Sequence, residues 1–166
     1  MSNVVKASSG VTSTTQFGVI GKIYEELFTD SSGNTMIRYL RLFKASTAVN
    51  AGELVGAIGS AVAGTDTMWL QGQCVAIATG GVRRRILYGV SLTAVAAGSY
   101  GWCVCRGVVE SLETASSVSE GDYLQSTSTA GAVDNIDSTA AGSSEQVVGY
   151  CVVGGSSSCT AYITLL

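Results

Sequence analysis

The chain has 166 residues, of which 46% are hydrophobic and only 13% charged, with 21 glycines, five cysteines, no proline and no histidine. That apolar fraction excludes a chain disordered throughout, and the lack of proline excludes polyproline or collagen-like structure. The missing histidine removes Ser-His-Asp, Cys-His, HExxH and zinc-finger arrangements, and a net charge of −3 gives no overall electrostatic footprint for nucleic acid.

The length suits one domain of ordinary size. No run approaches the roughly eighteen apolar residues of a membrane helix, and the first residues lack the apolar core of a signal peptide. A product made in a cytoplasm, with no membrane partner, is therefore expected. Residues 1–16 are rich in Ser, Thr and Val without an amphipathic period, and read as an extended N-terminal arm; residues 17–166 read as a single β-domain. From Phe17 to Phe28, the Ile23/Leu27 and Tyr24/Phe28 spacings suit a short helix, but Gly18 and Gly21 with Val19 and Ile20 suit a strand better. The turn residues Asp30 to Asn34 predict a hairpin onto the next segment.

Thr35 to Ala45 places Ile37, Tyr39 and Phe43 on one strand face and Met36, Arg38, Leu40, Leu42 and Lys44 on the other. Such a strand is covered on one side and partly covered on the other. A polar approach and a glycine turn then lead into Leu54 and Val55. From Met68 onward, short β-branched or aromatic runs alternate with Gly/Ser turns, and no window supports a four-turn helix. The pattern predicts an all-β fold, an antiparallel β-sandwich or β-barrel. The sequence around Gly52 (Ala51 to Val55) is echoed around Gly121 (Glu120 to Leu124) and more loosely around Gly98 (Ala97 to Gly101), each a tight turn by its composition. A second echo places a glycine between apolar residues at Gly56, Gly89 and Gly149, the mark of a bulge or a close backbone approach. Ser126 to Ser144 is small and polar, and reads as a long surface loop.

No residue group carries a convincing reaction. Cys103 and Cys105 share a strand face and offer two thiolates, but tetrahedral zinc needs two more ligands. An odd cysteine count without a secretion signal argues for buried, reduced thiols and against a Cys151–Cys159 disulfide. The carboxylates are scattered, and the Asp134 to Asp137 stretch is a poor calcium loop. Trp69 and Trp102 read as packing residues. Catalytic, cofactor and metal sites are accordingly not expected. The concentrated charge is Arg83, Arg84 and Arg85, which serves either as a solvated loop or as a grip on a carboxylate-rich partner. In the arm, Val4, Val5 and Lys6 are the matching contact candidates, because an extended arm adds a strand to a partner's sheet edge with little sequence demand.

The order of blocks resembles a known family. Arg38 to Ser46 is followed by Ala48 to Val55, then Leu87 to Trp102, Gly107 to Glu110, Val118 to Leu124, a Gly/Ala/Thr loop and Gln146 to Cys151. In that order they are similar to the capsid decoration (cement) proteins of tailed bacteriophages, over about residues 35–153. The resemblance implies a non-enzymatic virion protein, made in the host cytoplasm, that sits on the capsid exterior and stabilises the shell by bridging major capsid protein subunits. It implies a homo-oligomer, with a trimer expected, and no cofactor or nucleic-acid partner. The alternative is a phage fibre, receptor-binding or other surface-attachment β-module.

Overall fold

The computed structural model describes residues 12–16, 18–58, 73–76, 85–136 and 146–165. They form ten strands and no helix: β1 (Ile23–Thr29), β2 (Thr35–Ala45), β3 (Leu54–Ile58), β4 (Gln73–Ala76), β5 (Arg85–Ser91), β6 (Tyr100–Glu113), β7 (Tyr123–Ser126), β8 (Val133–Asn135), β9 (Val147–Val153) and β10 (Ser158–Thr164). The fold is all-β, as the alternation predicts.

One sheet runs β1-β2-β4-β3-β5-β6-β10-β9-β7-β8, and an added β2–β6 pairing closes β2, β4, β3, β5 and β6 into a five-stranded ring. The remaining strands extend from it as an open sheet. The pairings between strands are antiparallel except β2–β4, whose short parallel register joins Lys44 to Gln73 and Ala45 to Cys74. Closure works because β6 is fourteen residues long. Its first half pairs with β2 along one edge, while its other edge takes β5 at Cys103 and Val104 and then β10 from Arg106 onward.

The ring explains why so many strands are apolar on both faces. On β2, Leu40 and Leu42 enter a large cluster with Trp102, Val104, Leu112, Val148 and Ile163, while Phe43 and Ala45 enter a second one with Val55, Tyr88 and Cys103. Strands covered on both sides read as continuous apolar runs, and each fully buried Leu or Phe contributes about 1.5–3 kcal/mol. Strands β1, β7, β9 and β10 are covered on one side only, so buried and outward positions alternate along them.

The turn echo is structural. Gly52, Gly98 and Gly121 all have positive φ, and each lies two residues before a strand. Val49 and Val95, each three residues before such a glycine, exchange backbone hydrogen bonds at 2.9 and 2.8 Å, so two copies of the unit pair with each other. The second echo also has a structural counterpart: a Cβ on Gly149 would lie 2.0 Å from the Tyr162 carbonyl oxygen, and the β3–β5 register shifts between Val55 and Gly56. The expected loop over 126–144 is shorter than its composition suggests. Ala132 and Val133 are buried, and Val133–Asn135 pairs with β7 as β8. Two apolar residues inside a polar stretch were enough to anchor a strand. At the other end, Ser13 exchanges backbone hydrogen bonds with Tyr100 at 3.2 and 2.8 Å, joining that residue to the start of β6.

Candidate functional site: the uncovered sheet face

On the open part of the sheet one face packs on the core and the other carries exposed apolar side chains among the described residues. On that outer face Leu27 and Ile37 stand directly opposite each other in the β1–β2 hairpin, 74% and 54% exposed. The β2–β6 register pairs Tyr39 with Arg106, so alternation brings Val108 onto the same face of β6. Val108 pairs with Tyr162 on β10, Tyr162 with Tyr150 on β9, and Tyr150 with Tyr123 on β7. An apolar and aromatic stripe thus crosses six strands, from Leu27 at one end to Tyr123 at the other. The Tyr150 and Tyr162 rings stack at 5.5 Å with 17° between planes. Tyr123 and Tyr150 are 65% and 41% exposed, and Val147 and Val152 extend the exposed apolar surface along β9.

Sequence reasoning missed this stripe. Its signal was present as the outward half of the alternation in β9 and β10, where tyrosine and valine occupy positions a solvated sheet gives to charged residues. Of the contact candidates drawn from sequence, Val4, Val5, Lys6, Arg83 and Arg84 are outside the described residues, and Arg85 opens β5, its backbone paired with Ile58. Trp69 is also outside them. Trp102 is buried, with its ring edge-on to Tyr24 at 5.0 Å.

Charge is distributed unevenly around the stripe. Arg106 is the last basic residue in the sequence, whereas Glu110, Glu113, Glu120, Asp122, Asp134, Asp137 and Glu145 all follow it. The ion pair formed among the described residues, Arg38 with Glu26, lies on the opposite, inner face of the β1–β2 hairpin, where the Arg38 guanidinium also sits over the Phe28 ring at 4.0 Å. Near the hairpin turn, Glu110 accepts the Ser31 N–H at 2.6 Å, and hydrogen bonding from the Ser31 side chain and then from its backbone holds the Glu110 carboxyl below the usual range.

Several ionisable groups inside the fold have structural partners. Glu53 is buried and accepts the Asn50 backbone N–H at 2.7 Å and its side-chain amide at 2.9 Å. Burial, and then the Glu53 charge, push the neighbouring Glu113 carboxyl up. A native pKa above the unfolded one means that ionising Glu113 costs stability as pH rises through its raised native value. Glu113→Gln is therefore expected to raise the unfolding midpoint at pH 7 and to leave it unchanged once pH falls below the ordinary carboxylate range; melting curves at pH 7 and pH 3 check this. The cysteines Cys103, Cys105, Cys151 and Cys159 are buried and form no disulfide among the described residues. A register shift in the β9–β10 pair sets Cys159 beside Cys151. Burial, and then the adjoining Cys151, push the Cys159 thiol up to about 12. Such a thiol stays protonated and inert at neutral pH.

No protein-family model matches the chain, and no curated protein sequence matches it. Among solved structures it is similar to the head fiber gp8.5 N base of bacteriophage phi29, with a TM-score of 0.51 and 17% sequence identity, over 76% of this chain and 93% of that one. At that identity the likeness is one of fold: the same kind of all-β architecture, reached by a largely different sequence.

Proposed function

We propose that this chain is a structural, non-catalytic protein of a phage head, docked on the outside of the capsid, where it bridges major capsid protein subunits as a homo-oligomer, with a trimer expected. The observation that carries this reading is the uncovered stripe from Leu27 to Tyr123, on a fold shared with the base of a phage head fiber. A patch that spans six strands on a chain of this size marks an interaction surface. Tyrosine is enriched at such surfaces because it supplies large contact area with few rotatable bonds. The block order shared with decoration proteins supports the same reading.

A second reading is favoured by one observation: the structural neighbour is the N base of a fiber, and this chain covers 93% of it. On that reading the domain seats a longer appendage on the head. Co-sedimentation with heads of the phage that carries the gene, purified without this protein, tests the common part. Binding is expected, and its absence overturns both readings. Stoichiometry in intact particles then separates them, since bridging requires a copy number comparable with that of the shell subunits, whereas a fiber base requires far fewer.

A further inference from the structure

The tyrosine end of the stripe is rimmed by carboxylates that no described cation pairs with. Asp122 immediately precedes Tyr123 at the turn into β7, and Glu120 lies across Gly121 from Asp122. Glu110 follows Val108 on the same face of β6, and Asp134 pairs with Gln125, two residues along from Tyr123. None of the four makes an ion pair among the described residues, and the basic residue on this face, Arg106, two residues before Val108, has its guanidinium over the Tyr39 ring at 5.9 Å, on the side away from Tyr123.

We propose that this end, the row Val108, Tyr162, Tyr150 and Tyr123 within its acidic rim, is the docking face, and that it takes a basic, part-apolar protein surface. The proposal rests on the head-surface reading and specifies the partner chemistry at the same site. Charge selects the occupant. Nucleic acid and anionic lipid are repelled by the rim, and a two-fold contact between copies would set acidic rim against acidic rim. A protein surface carrying Lys or Arg around an apolar centre satisfies both parts. The stacked Tyr150 and Tyr162 rings are already ordered, so little side-chain entropy is lost when they are covered, and the rim speeds encounter and sets the orientation.

The test measures binding of the full chain to heads purified without it, at roughly 50 mM and roughly 500 mM NaCl, where screening of exposed charges differs strongly. Wild type is expected to bind more weakly at the higher salt. Tyr123→Ser combined with Tyr150→Ser is expected to lose about 30-fold or more in affinity, the loss typical of central aromatic anchors. Leu27→Ser, at the far end of the stripe, is expected to lose much less affinity than the tyrosine pair does. Glu120→Lys, an exposed turn substitution, is expected to weaken binding at low salt only, and it keeps the test decisive if the double tyrosine variant does not fold. Failure of wild type to bind overturns the head-surface reading itself. Wild-type binding that is insensitive to salt, to the tyrosine changes or to Glu120→Lys overturns this assignment alone, as does an equal loss from Leu27→Ser. Tyrosine-dependent self-association that persists at high salt also overturns it, in favour of a second copy.

Discussion

Gly52→Ala is expected to lower the unfolding free energy by about 3 kcal/mol, a fall in melting temperature of roughly 6–12 °C for a chain of this length. Two costs combine. Gly52 has φ of 82°, which for an L-residue with a Cβ costs about 1–2 kcal/mol. A Cβ there would also lie 2.0 Å from the Ser111 carbonyl oxygen, so β6 must move away from the turn. That movement is opposed by the hydrogen bonds of Gly52 itself, whose N–H donates to the Ser91 carbonyl at 2.8 Å and whose carbonyl accepts the Glu113 N–H at 3.0 Å. The turn therefore pins the end of β5 to the far half of β6. Gly121→Ala separates the two costs: its φ is 89°, but nothing lies within 4 Å of a Cβ there. It is expected to lose only about 1–2 kcal/mol. Urea unfolding of both variants checks the difference, and equal losses would mean that the approach to Ser111 contributes nothing.

Arg38→Ala is expected to cost about 3 kcal/mol, because it strands the Glu26 carboxylate in a part-buried site without a cation. The two side chains are only 6% and 13% exposed, and Arg38 also covers the Phe28 ring. Part of the loss is packing, since the Arg38 stem lies against Gly107, where an added Cβ would meet the Arg38 Cβ at 2.7 Å. Replacing both partners, as Arg38→Met with Glu26→Leu, is expected to be close to neutral, because desolvation of the two ions cancels most of their attraction. Denaturant unfolding of the single and double variants measures the coupling. A double variant as unstable as Arg38→Ala would show that the pair contributes more than the desolvation balance allows.

Much of the secondary structure is legible without coordinates. The hairpin from β1 to β2 follows from the turn at Asp30 to Asn34, where the Asp30 carboxylate accepts the Ser32 and Asn34 N–H groups at 3.0 and 2.8 Å. The split faces of β2 follow from alternation alone, and the apolar runs after Met68 hold β4, β5, β6, β7, β9 and β10. These features are local: a strand needs only period-two patterning and a turn needs only the right residues at fixed offsets. Strand β8 escaped notice because it is three residues long, and its burial is decided by Val133 meeting a distant core.

The tyrosine row belongs to a different class of information. Tyr123, Tyr150 and Tyr162 are unremarkable in sequence, since an outward tyrosine and a buried one alternate with neighbours in the same way. Only the pairings β7–β9 and β10–β9 put the three side by side, and only the closure of β2 on β6 joins them to Ile37 and Leu27. The sequence by itself determined that the chain is all-β, poor in charge and without the groups for histidine chemistry, because composition and short-range patterning suffice for that. Tertiary structure alone decided which faces the core covers and which stay bare, because long-range strand order, not local preference, places one outward residue beside the next.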